Sequence, residues 1–124
     1  MKYGMVAVAA APVRRKARHQ HEMVSQLLFG EAVKVVKEKG RLWVKIKSLH
    51  DNYSGWMTRT LLQEVSEEQA MMAVTHVTAG LVNEISIGTS IVKVPMGSSL
   101  PAFRDGKGQL GILSYTFTDD SINI

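Results

Sequence analysis

The sequence predicts an all-β chain, two small and strongly bent antiparallel barrels in tandem, joined by a short helix. Three observations carry this. Three strand-like runs and two turn signals are packed into Met23–Met57, the spacing of a β-meander rather than of helices. Apolar runs punctuated by glycine and proline return from Thr75 onward. Between the two halves stands a helix-start signal at Ser66, followed at once by Glu67 and Glu68, the charge that a helix N-terminus favours.

The elements follow in order. Met5–Ala9 is the first strand, and a polar, basic loop runs from Arg14 to Glu22. Ser25–Leu28 is a shorter strand signal and Ala32–Lys37 a longer one. Glu38-Lys39-Gly40-Arg41 supplies a hairpin turn. Leu42–Ser48 is the next strand signal, and from Leu42 to Lys47 apolar and basic residues alternate. The two-residue period sets Leu42, Val44 and Ile46 on the core side and Trp43, Lys45 and Lys47 on the other. A second turn, His50 to Ser54, leads into Gly55–Met57, and Thr58–Leu62 is a helical turn that closes a first unit of residues 1–63.

Residues 64–74 read as a helical linker, with Ser66 as N-cap and Gln69, three residues on, completing a capping box. Residues 75–124 form a second barrel or a β-extension of the first. Strands are expected at Val74–Val82, Glu84–Ile87, Ser90–Val94, Ser99–Phe103 and Leu110–Phe117, with a hairpin turn at Asp105-Gly106. Phe117–Ile124 is expected to trail off without closing, as in a piece of a longer chain.

Composition narrows the chemistry. At 124 residues and 45% apolar, the chain builds an adequate core only if most of it takes part. The absence of cysteine excludes disulfides, thiolate zinc sites and a cysteine nucleophile. His50-Asp51 are too close in sequence to orient one another as a catalytic pair, and no serine sits in a nucleophile elbow. His19 and His21 form a His-x-His pair without an evident third ligand, so no metal site and no cofactor are implied. Lys2 alone, with Tyr3-Gly4 behind it, does not make a signal peptide of Met5–Val13, and no run reaches membrane-spanning length. The three prolines make no PxxP ligand.

Charge is uneven. Residues 1–63 carry 12 Lys and Arg against four Asp and Glu, whereas residues 64–124 carry three against seven. Arg14, Arg15, Lys16 and Arg18 could suggest nucleic acid, but this half lacks an amphipathic recognition helix, and a solvated loop or a contact to an anionic domain is the reading preferred. Trp43, Trp56 and Tyr53 are open to two readings, a ligand groove or ordinary packing.

In order along the first half stand Pro12-Val13-Arg14, Leu27-Leu28-Phe29-Gly30-Glu31, Val33-Lys34-Val35-Val36, Leu42-Trp43-Val44-Lys45-Ile46 and Gly55-Trp56-Met57. This set resembles the bacterial SH3 domain pattern. More narrowly, Met23–Glu31 followed by Asp51–Trp56 is similar to the N-terminal region of NlpC-type cell-wall cysteine peptidases, in which SH3-like domains precede a papain-like catalytic domain. Some members cleave between γ-D-glutamate and the diamino acid of peptidoglycan stem peptides. The second half is similar, more loosely, to a second SH3-like domain that some members carry.

The resemblance implies a non-catalytic targeting and substrate-gating region, with a peptidoglycan stem peptide as partner and a catalytic domain in cis beyond Ile124. A free-standing module for wall peptides or for a protein is the alternative. Tyr53 matches a tyrosine at the active-site rim that helps select a free N-terminal L-alanine. Asp51 and Glu22 are the carboxylates expected to pair with the substrate ammonium, and Trp43 and Trp56 complete the candidate set. A cytoplasmic role in recycling wall peptides fits this picture, as does an exported protein whose leader has been removed.

Overall fold

The computed structural model describes residues 1–19 and 23–124. Glu22 and His21, named above, lie outside the described residues. The first unit is a seven-stranded antiparallel sheet. Its strands are β1 (Tyr3–Val6), β2 (Ala10–Arg14), β3 (Met23–Leu28), β4 (Ala32–Lys39), β5 (Trp43–Ser48), β6 (Ser54–Thr58) and β7 (Leu62–Val65). They lie in the order β3-β2-β6-β5-β4-β1-β7. Alternation decides which side is core: Val33, Val44, Ile46 and Met57 are buried with Val6, Val13, Leu27 and Leu62, while the residues between them face out.

Several boundaries differ from expectation. The apolar run from Met5 is two strands rather than one, because the chain bends at Val8-Ala9. β1 fills the slot between β4 and β7, whereas β2 pairs with β3 and β6. Leu42 sits in the β4–β5 turn, 40% exposed, so the inward alternation begins at Val44. The expected closing turn is a single 3₁₀ turn, Arg59–Leu61, and β7 follows it. At four residues, β7 is too short for its period to be read.

The helix α1 (Glu67–Met71) is as anticipated. The Gln69 backbone N–H donates to the Ser66 hydroxyl, and the Gln69 side chain accepts from the Ser66 N–H, each at 3.1 Å. Two orphan donors are thereby satisfied in a helix too short to persist alone.

The second unit contains β8 (His76–Thr78), β9 (Val82–Ile87), β10 (Ser90–Pro95), β11 (Lys107–Leu110), β12 (Leu113–Thr116) and β13 (Ser121–Asn123). Four of these form a sheet in the order β10-β9-β12-β11, and β13 pairs with β8. The run Val74–Val82 is interrupted because the buried Asn83 amide bonds both the N–H and the carbonyl of Gly80, at 3.0 and 2.9 Å. Ser99–Phe103 forms no strand. Ser99 makes an isolated bridge to Val77, and Pro101-Ala102 turns the chain, with Ala102 at φ 50. Leu110–Phe117 contains a hairpin, β11 and β12 reversing at Gly111-Ile112. The Asp105-Gly106 turn stands as expected: both residues have positive φ (52 and 78), and Arg104 and Lys107 exchange backbone bonds across it, the geometry of a type I′ turn. The terminal segment does not trail. β13 is zipped antiparallel to β8, and the Ile124 N–H reaches the Thr75 carbonyl at 2.8 Å.

The two units share a core. Tyr3, Met5, Phe29, Val65 and Ala70 are buried in one cluster with Ile85, Val94, Leu100, Leu110, Tyr115 and Phe117. The Phe29 and Tyr115 rings meet edge to face, 6.0 Å between centroids at 87°, a favoured arrangement for two quadrupoles. Gly30 makes this approach possible. Its φ is +82, and a Cβ there would strike the Ser99 carbonyl and the Pro101 ring. Polar groups support the seam: within the second unit the Tyr115 hydroxyl donates to the Pro101 carbonyl at 2.7 Å, and the Gln69 amide of the helix donates across to the Gly111 carbonyl at 3.3 Å. Among the described residues no helix is long and apolar enough to cross a membrane.

Two predictions follow from the seam. Phe29→Ala should cost about 3–5 kcal/mol and should lower the urea midpoints reported by probes in both units together. A loss confined to the first unit would show that the cluster is not cooperative. Burial also pushes the Tyr115 phenol well above the ordinary tyrosine value of about 10. The neutral phenol therefore contributes stability that is fully present below that value and is lost as pH rises through the higher folded one. Alkaline melting curves should show the loss, and Tyr115→Phe should flatten it while lowering stability near neutrality by about 1 kcal/mol.

Candidate binding groove

The outward face of the first sheet is built by register. Lys45 on β5 stands opposite Trp56 on β6 and opposite Lys37 on β4, and Trp56 in turn stands opposite Arg14 on β2. Trp43 pairs with Thr58 and Lys39, so it lies one pleat along the same face. Lys34 opposes Lys47 in the same way, and a bulge between Val35 and Lys37 keeps these lysines on one side.

At the β2–β6 corner lies a groove of about 500 Å³, lined by Tyr53, Trp56, Lys45 and Arg15, with Val24, Ser25 and Ser54. Gly55 sets its depth. A Cβ at Gly55 would collide with the Val13 side chain and approach the Arg14 carbonyl to 3.0 Å, so only glycine lets β2 cross β6 this closely. That crossing carries Arg15 to the groove.

Tyr53 and Trp56, expected as site residues, are thus brought together. Trp43 is not in the groove. It is half-buried under His19, ring centroids 4.8 Å apart. Asp51 is exposed on the preceding turn, where Asn52 takes φ 61, and does not line the groove. Its charge nonetheless reaches the Tyr53 phenol. Burial, chiefly, raises the Tyr53 pKa; the Ser25 hydroxyl opposes the rise, and the Asp51 and Glu31 carboxylates add to it. The Tyr53 hydroxyl is sealed from solvent; the Ser25 side chain is the hydrogen-bonding group that acts on it, but the pair does not reach good hydrogen-bond geometry. A buried donor without a partner calls for an explanation in any native structure.

Arg15, Lys45, Val24 and Ser25 were not anticipated in the groove. The two-residue period of β5 already put Lys45 on the outer face beside Trp43. The pairing of β5 with β6 and the β2 crossing are long-range facts with no local signal. Among the described residues no cluster of metal-ligating side chains occurs, and nothing in the groove provides a nucleophile with an adjacent base.

A bent, closed sheet with a polar and aromatic groove at one corner defines a small β-barrel binding module. Residues 13–62, from β2 into β7, match the family model described as the bacterial dipeptidyl-peptidase SH3 domain, so the first barrel is similar to a bacterial SH3 domain. The fold of nearly the whole chain matches the crystal structure of an NlpC/P60 family protein from Bacillus cereus, with a TM-score of 0.72 over 97% of this chain at 17% identity. The chain spans 55% of that protein. The resemblance seen in the sequence therefore holds for the SH3-like barrel and, at the level of fold, for both units in tandem. No curated protein matches the chain.

Because its hydroxyl has no partner in good geometry and Ser25 compensates its burial only in part, Tyr53→Phe should leave the melting temperature unchanged or raise it by up to a few degrees. A clear drop on calorimetry would show that the phenol is satisfied after all.

Proposed function

We propose that the chain is a non-catalytic, substrate-gating region that works with a peptidase domain in cis on peptidoglycan stem peptides. The observation that carries this reading is the groove. It unites Tyr53 and Trp56 on a barrel similar to a bacterial SH3 domain and leaves one buried hydroxyl unpaired. A phenol at the base of a groove can hydrogen-bond a peptide carbonyl or amine while its ring walls the site. The small movement of Val24 and Ser25 needed to uncover it is of the kind that edge strands allow, and β3 is an edge strand. The likeness to an NlpC/P60 family protein that is longer than this chain supports a partner domain with peptidase chemistry.

The test is titration of the intact chain with stem peptides, followed by tryptophan fluorescence in a Trp43→Phe background so that Trp56 reports. Saturable quenching is expected, weakened about tenfold by Tyr53→Ala. Saturable binding with undiminished affinity in the Tyr53→Ala variant would place the ligand elsewhere. If the chain binds nothing, alone or joined to a peptidase domain, the reading fails.

A further inference from the structure

The groove leaves one strongly charged surface unused, the outer side of β4 and β5. Lys34, Lys37 and Lys39 stand along β4, Arg41 follows in the turn, and Lys47 faces Lys34 from β5. All five are exposed. Glu38 is the single acid on β4, and neither β5 nor β6 has one. It stands opposite Val44 rather than a lysine, and the Arg59 guanidinium holds it at 3.0 Å. Among the described residues none of the five cations has an ion-pair partner.

Two physical points decide what such a surface holds. Facing like charges destabilise an antiparallel pair, and here no acid of the same strands relieves Lys34 and Lys47. The five cations also lie on open strand and turn surface, outside the β2–β6 groove. A single small anion would meet one or two hydrated charges there, each worth less than about 1 kcal/mol. A chain of anions engages several in turn and loses its translational freedom only once. From Lys34 to Lys39 the track runs about 16 Å along the strand, and Arg41 extends it. Lysine meets phosphate as a point charge with three rotatable donors, which suits a flexible chain whose charges arrive in no fixed register. Stacking of bases is not provided for: β4 has no aromatic residue, and Trp43, opposite Lys39, is half-buried under His19.

We infer that the outer face of β4 and β5 is a docking track for a linear phosphodiester polymer without bases, of the polyol-phosphate kind. Lys34, Lys37, Lys39, Arg41 and Lys47 hold it, each meeting a phosphate and releasing the counterion that phosphate carried. The track is separate from the groove, so failure of the stem-peptide reading leaves this inference untouched.

The experiment uses the intact chain and a fluorescently labelled poly(glycerol phosphate), followed by anisotropy over a series of sodium chloride concentrations. Saturable binding is expected, and monomeric glycerol phosphate at the same phosphate concentration should not displace the polymer. The logarithm of the association constant should fall with that of the salt concentration with a slope of about −2 to −3.5, the release from roughly three to five phosphates. Lys34→Gln combined with Lys47→Gln should weaken binding about tenfold and make the slope shallower by about 1.4. This double variant removes a facing like-charge pair, so its melting temperature should hold or rise, which separates lost binding from lost folding. Lys34→Arg with Lys47→Arg should retain affinity and slope, and Lys93→Gln with Lys107→Gln on the second unit should change affinity less than about twofold. Absence of saturable binding overturns the inference, as does binding that the Lys34 and Lys47 double variant leaves unchanged. Tighter binding of an oligothymidylate than of the polymer would assign the face to nucleic acid. Binding to anionic phospholipid vesicles without binding to the polymer would assign it to a membrane surface. Either result overturns the inference.

Discussion

The edge-to-face contact between Phe29 and Tyr115 is the constraint on which the rest of the molecule depends. Phe29 stands in the turn just after β3 of the first barrel, and Tyr115 lies on β12, an inner strand of the second sheet. The two units divide their apolar residues unequally. The first barrel's own cluster is made of small aliphatic side chains and one methionine, and the large aromatic residues are spent on the seam. The second unit has no cluster of its own and uses the outer side of β1, the end of β7 and the helix as its floor. In a chain of this size, burial sufficient for stability requires such sharing. The helix is therefore a wedge in the seam, held by its capping box and by Gln69.

The same economy explains why the groove lies at the opposite corner. The side of the barrel toward the second unit is occupied, and the other sheet face is free to carry charge. β2 must cross β6 closely to finish the barrel. Gly55 permits the crossing and so produces a concavity beside Trp56. The groove is a by-product of barrel closure that the side chains of Arg15, Lys45 and Tyr53 have furnished.

Local physics made much of this legible in the sequence. The alternation of β5, the positive-φ turn at Asp105-Gly106 and the capping box at Ser66 are each written in a few adjacent residues, and each formed as read. Most of the errors share a cause. The split of the first strand, the strand at β7 and the pairing of β13 with β8 are settled by contacts between residues far apart, whereas the Asn83-stapled turn is local but depends on a buried side-chain amide that strand periodicity does not reveal. At the groove, Tyr53 and Trp56 could be named from a short motif. Lys45 could have been placed on their face from its period, but its position opposite Trp56 is a matter of register. Arg15 was legible only as part of a basic loop, because what aims it is the absence of a side chain at residue 55.

The facing lysines have a consequence for how the protein experiences its surroundings. Added salt screens repulsion between exposed charges a few ångströms apart, so the fold should become firmer as ionic strength rises, while attraction for any anion at the same face becomes weaker. Ionic strength therefore sets a compromise between cohesion and grip. In dilute buffer the barrel is at its most adhesive and its least rigid.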